Sequence, residues 1–161
     1  MWKNLLFLLL LLVISRFIGL PANFSPLLAL AVFMPRLTDD KRIQHLLPVS
    51  IIAFTNLFLD PVNGFILTTM LIVFAVAPFV SRYTQSIAWG SVSAIAIWHI
   101  VVNGAVWFSG GGSLLQTYIA AIPFDFKLAL STWLYLALFH FAERLMMTVG
   151  QSNTKLFDRI V

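Results

Sequence analysis

His99, Asn103 and Trp107 stand four residues apart within Ile95–Phe124, which reads I-A-I-W-H-I-V-V-N-G-A-V-W-F-S-G-G-G-S-L-L-Q-T-Y-I-A-A-I-P-F. At that spacing an imidazole, a carboxamide and an indole share one face of a helix. The chemistry open to such a stripe is hydrogen bonding to, and stacking on, a planar solute. A proton relay through His99 is the other possibility, but no intramembrane carboxylate is an obvious partner for it. The bland readings are an interhelical strut for Asn103 and an interfacial anchor for Trp107.

Other reactive arrangements are missing. His45, His99 and His140 fall at different depths, so no metal site is expected. His140, Glu143 and Arg144, at i, i+3 and i+4, read as a local ion pair. There is no cysteine for thiolate chemistry, no Ser-His-Asp set at plausible depth and no paired carboxylates. Gly110-Gly111-Gly112 lacks the strand, helix and lysine of a phosphate loop. The chain is therefore expected not to be an enzyme and to need no cofactor.

The elements that must carry these residues are apolar helices. Of 161 residues, 60% are hydrophobic and 10% charged, against about 25% charged in ordinary soluble domains. The expected class is an all-α integral membrane protein. Apolar runs bounded by charge or proline give six candidate transmembrane helices: Asn4–Leu20, Phe24–Leu37, Ile43–Leu59, Gly64–Val80, Ile87–Phe108 and Phe126–Met147. A bilayer core needs about 20 residues. The second run reaches only about 21 Å at 1.5 Å per residue, and either crosses a thinned membrane or is partly re-entrant. One domain, residues 1–150, is expected, with a short tail at 151–161.

The net charge of +4 comes from scattered Lys and Arg that flank apolar runs, a topology signal rather than a nucleic-acid patch. With six spans and the N-terminus inside, Lys3, Arg36, Lys41, Arg42, Arg82, Arg144, Lys155 and Arg159 are inside and Arg16 and Lys127 outside. A five-span arrangement with the N-terminus outside exchanges Lys3 and Arg16 and fits as well. In both, Asp60–Asn63 and Ser109–Asp125 lie outside. Toward that face gather Arg16, Asn23, Asn56, Asp60, Asn103, Trp107 and Tyr118, with Asp125 in the last outer loop. Asp60 has a plainer role as a cap in the Asp60-Pro61 turn. Leu114–Ile122 is expected to lie as a short helix over the mouth, hinged on the three glycines.

Leu20-Pro21-Ala22-Asn23-Phe24-Ser25-Pro26 with Ala29-Leu30-Ala31-Val32-Phe33, then Pro48, Asn103-Gly104-Ala105-Val106-Trp107, Ala121-Ile122-Pro123-Phe124 and Phe139, resemble an uncharacterised family of small bacterial inner-membrane transport proteins. That family is similar to the substrate-binding S components of energy-coupling factor (ECF) vitamin transporters. The resemblance covers roughly Arg16 to Arg144 and implies a six-helix, S-component-like bundle with an outward-opening site lidded by the first and last outer loops. It carries Asn23, Phe24, Pro26, Asn103, Trp107, Pro123 and Phe124 over as matching positions. The chain departs from it at Asn56, where an aspartate is expected, at Met34-Pro35, where a glycine pair is expected, and in the first span, which lacks the Ala-x-x-x-Ala contact that docks S components on a coupling module.

The functional expectation is a bacterial inner-membrane protein, both termini cytoplasmic, that captures a small vitamin-like or heterocyclic solute from the outer side. Asn23, Asn56, Asp60, His99, Asn103, Trp107, Tyr118 and Phe124 are the candidate contacts, Trp107 and Phe124 stacking and the asparagines and Asp60 hydrogen-bonding. That set favours a neutral or cationic planar compound, with Arg16 and Lys127 pulling the other way. Partners would be the solute, the lipid bilayer and an ECF-type coupling module or other membrane subunits. The rival is an accessory subunit that packs against partner chains in a larger membrane complex.

Overall fold

The computed structural model describes residues 13–19, 23–59 and 61–157, with side chains as far as Leu145. Most of the first expected span, Asp60 and the last residues of the tail lie outside the described residues. The rest is helical: α1 (Leu27–Leu37), α2 (Lys41–Asn56), α3 (Gly64–Thr84), α4 (Ile87–Gly110) and α5 (Leu114–Phe157).

Three of these helices, α3, α4 and the Leu114–Leu145 part of α5, are long and apolar enough to cross a membrane. At 1.5 Å per residue they measure about 31, 36 and 48 Å, against a hydrocarbon core of about 30 Å. Large apolar side chains cover their outer surfaces, among them Phe79, Trp89, Ile100, Phe126 and Leu138. Around a water-soluble protein that surface would be a liability; around a membrane protein it meets lipid.

The other two helices are too short. α1 has 11 residues, about 16 Å, and α2 has 16, about 24 Å. Yet α1 is the most deeply buried element: every residue from Leu27 to Met34 is at most 2% exposed. A helix apolar on all sides belongs in a core, and α1 packs against all four others. It starts far down the bundle. Ser131 Oγ donates to the carbonyls of Leu128 (3.0 Å) and Ser25 (3.3 Å), and Ser131 lies about 27 Å along α5 from the Gly111 turn. The second expected span is thus a half-length helix rather than a full crossing.

Local chemistry sets the helix ends. Asp40 Oδ1 accepts from the N–H groups of Arg42 and Ile43, and Asn63 Oδ1 from those of Phe65 and Ile66, so each caps the helix that follows. Ser86 does the same for α4. Gly111 and Gly112 take φ of +69° and +90°, values that a side chain disfavours, and so turn the chain within three residues from α4 into α5.

That turn corrects the expectation for the last outer loop. Leu114–Ile122 is no separate lid: α5 begins at Leu114, twelve residues before the expected Phe126, and continues through Pro123. Pro123 removes one backbone bond, which membrane helices tolerate when neighbours compensate. Polar contacts tie α5 and the Gly111–Gly112 turn to α4. Trp107 Nε1 donates to the Gly112 carbonyl (3.1 Å), Tyr118 Oη to Ile100 (2.7 Å) and Trp133 Nε1 to Ser91 Oγ (3.2 Å). Asp125 makes the central contacts.

At the opposite end, Arg82 donates to Gln44 and Gln44 to the Thr38 carbonyl, while Arg36 pairs with Glu143 at 3.6 Å. Cations thus gather at the Thr38 end.

Candidate functional site

Asp125 is 7% exposed, and three N–H groups from α4 converge on its carboxylate. Trp98 Nε1 donates to Oδ1 at 3.1 Å; His99 Nδ1 and Asn103 Nδ2 reach Oδ2 at 2.6 and 2.7 Å. His99 Nδ1 and Asn103 Nδ2 are themselves 3.2 Å apart, two donors sharing one acceptor. Because Nδ1 faces the carboxylate and donates to it, Nε2 is the ring nitrogen left with a lone pair. The imidazole also lies edge-on to Tyr118, 5.3 Å between ring centroids. His99 and Trp98 stand about 18 Å from the Gly110 end of α4, near its middle. A buried acid and a partly exposed imidazole, the Asp125 and His99 side chains 9% and 32% accessible, are therefore paired near the middle of α4.

The sequence places the i, i+4 pair His99 and Asn103 correctly on one face, but assigns Asp125 to a loop. Continuing α5 up to Leu114 moves Asp125 about 18 Å into the bundle and supplies the carboxylate that His99 otherwise lacks. Trp98, off the expected stripe, is a further member that spacing did not flag.

On the far side of Trp98 lies a cavity of about 160 Å³. Phe24, Phe74 and Trp98 give it aromatic walls, Met70 and Leu128 fill in, and Arg16, Asn23 and Ser25 supply polar groups. Phe74 meets the Trp98 ring edge-to-face at 5.8 Å, which holds the indole between the cavity and Asp125. Arg16 Nε is buried without a hydrogen-bond partner among the described residues. Buried donors are costly to leave unpaired, so this guanidinium has bonding capacity to offer. Asn23 has φ of +63°, a left-handed conformation in which asparagine is enriched.

The expected contacts do not meet at one place. Asn23 lines the cavity. His99 and Asn103 bind Asp125 instead. Asn56 Nδ2 is spent on the Ile52 carbonyl of its own helix at 3.0 Å. Trp107, 36% exposed, stays at the Gly112 turn; Tyr118 is bonded to α4. Phe124 is 47% exposed with Lys127 Nζ 5.7 Å from its ring centre, so it faces outward and stacks on nothing inside. Asp60 lies outside the described residues. The set that does surround a hollow is Arg16, Asn23, Phe24, Ser25, Phe74 and Trp98.

No group of three or more His, Cys, Asp or Glu fit to hold a metal occurs among the described residues. His45 Nδ1 donates to the Ala75 carbonyl at 2.6 Å, one turn before Pro78. His140 Nε2 accepts from Arg144 Nε at 3.2 Å and its Nδ1 lies 3.4 Å from Glu143, the local pairing expected from their spacing.

Residues 1–153 match DUF6580, described as a family of unknown function. The chain belongs to the DUF6580 family. The match takes in both the Asp125 cluster and the cavity of this DUF6580 protein. Comparison with curated proteins and with solved structures finds no match.

Proposed function

We propose that this DUF6580 protein is a membrane solute-binding protein of the transport class, holding a small single-ring solute with an anionic group in the cavity beside Arg16. The observation that carries the reading is Arg16 in the wall of an aromatic-walled hollow, its buried Nε without a hydrogen-bond partner among the described residues. A cavity of about 150 Å³ is large enough for one benzene ring, so the 160 Å³ found here suits a monocyclic compound. Three aromatic side chains favour a planar one. The polarity differs from the sequence-based preference, which rested on Asp60 and the asparagines, because the described lining of the cavity holds Arg16 and no acid.

The cytoplasmic side is the Thr38 end, where Arg36, Lys41, Arg42 and Arg82 collect. The solute then enters from the Gly111 end, above the half-length α1. The likeness to ECF S components supports the same direction of entry. Inner-membrane placement follows from that likeness.

Benzoate is the test probe. Purified full-length protein should bind it, measured by calorimetry or by Trp fluorescence, and Arg16→Gln should weaken binding. A charged hydrogen bond is worth about 1.5–3 kcal/mol, a loss of about 10- to 150-fold. Unchanged affinity in Arg16→Gln, or no binding by the native chain, refutes the reading. Stoichiometric retention in a larger complex with no bound solute would favour the accessory-subunit role.

A further inference from the structure

The solute site makes no use of the Asp125 cluster, although an acid and an imidazole in the middle of a membrane helix pair are expensive to keep and mark functional pathways by default. We propose that His99 and Asp125 form a proton-binding site, coupled through Trp98 to the cavity, so that anion binding is accompanied by proton uptake. This rests on the cavity reading for its ligand, though not for its proton.

With His99 neutral and donating through Nδ1, the cluster holds a carboxylate and carries one negative charge. One proton adds at Nε2 and makes it a neutral ion pair. None of the three bonds to Asp125 has to break, since imidazolium still donates through Nδ1. The site is thus built to take up and release a single proton in place.

Few other charges compete. From α4 the one titratable neighbour is His99, and α1 presents an unbroken apolar run from Leu27 to Met34. On α5 itself Tyr118 is bonded to the Ile100 carbonyl and Lys127 sits over Phe124. Arg16 lies across the cavity from Trp98.

Coupling follows from position. Trp98 touches both sites, its N–H on Asp125 and its ring on the cavity wall. An anion bound beside Arg16 is repelled by the deprotonated cluster and not by the protonated one. Anion and proton therefore favour each other, and by reciprocity the affinity for either rises with the other. Binding both also cancels the electrical work of moving an anion through a polarised membrane.

The experiment has two arms on the purified full-length chain. In the first, without solute, Trp fluorescence is titrated against pH. The native protein should show a transition, assigned to Trp98 by its loss in Trp98→Phe, that disappears in His99→Gln and moves down by at least one pH unit in Asp125→Asn. In the second, benzoate affinity is measured over a pH range in which benzoate stays ionised. It should fall at least tenfold as pH rises through the transition, and by less than twofold in His99→Gln.

No transition, or one that survives His99→Gln and Asp125→Asn unchanged, overturns the proton site, as does benzoate binding whose affinity ignores pH. A transition with the expected variant pattern but no benzoate binding leaves the proton site standing and removes the cavity reading instead. Should His99→Gln fail to fold, the Asp125→Asn shift decides.

Discussion

Replacing Asp125 by leucine removes the acceptor at the centre of the α4–α5 pairing while keeping a side chain of similar reach. Three N–H groups then lose their partner. Interhelical hydrogen bonds in membranes average about 0.6 kcal/mol with a maximum near 1.7, so three come to about 2–5 kcal/mol. The lower half of that range applies, because His99 and Asn103 can recover. Their nitrogens are 3.2 Å apart, and with its proton on Nε2 the imidazole accepts from the amide. Trp98 has no such recourse. A buried unpaired donor costs about 1–3 kcal/mol, and the expected net loss for Asp125→Leu is about 2 kcal/mol. Unfolding in mixed micelles by rising SDS, followed by circular dichroism, measures it. Asn103→Ala, which deletes one donor of the three, should cost about 0.6 kcal/mol. The reasoning is refuted if Asp125→Leu costs under about 0.5 kcal/mol or stabilises, since apolar replacement would then outweigh the bonds.

Two further expectations concern the frame around the site. A Cβ at Gly90 would lie 2.8 Å from Ser81 Cα, so Gly90→Ala must push α3 and α4 apart and should cost about 1–3 kcal/mol; Gly110→Ala, with open space around it, should cost nothing by the same unfolding assay. Asp40→Ala removes the cap of α2 and should cost about 1 kcal/mol, seen as a lower midpoint in that titration.

The membrane class and the positions of the helices were legible in the sequence because apolar runs and their breakers act locally. Gly64–Val80 and Ile87–Phe108 lie inside α3 and α4, and the turn at Asp60–Asn63 holds the Asn63 cap. What was not legible depended on pairing. The run Ser109–Asp125 contains glycines, a proline and an acid, each of which locally argues for a loop. Only the contacts with α4 make Leu114–Phe124 worth keeping as helix, and no periodicity within either segment reveals them. The same error hid the acid that completes His99 and Asn103. Setting Ile100 and Ser91 against Tyr118 and Trp133, as an antiparallel hairpin about the Gly111–Gly112 turn, would have found it. The outer polar cluster failed as a single site for a simpler reason. Residues such as Asn56 and Trp107 can satisfy themselves on nearby carbonyls, and they do. Arg16 instead lines the hollow, and its Nε is buried without a hydrogen-bond partner among the described residues.

The natural chain contains no cysteine, so one introduced thiol reports on one place. Ser25→Cys, in the cavity wall, should react in intact cells with a membrane-impermeant thiol reagent added outside, and benzoate should protect it. Arg42→Cys, at the Thr38 end, should react only from the cytoplasmic side. If Ser25→Cys instead shares the sidedness of Arg42→Cys, or reacts equally with and without benzoate, the cavity is not an outward-facing solute site.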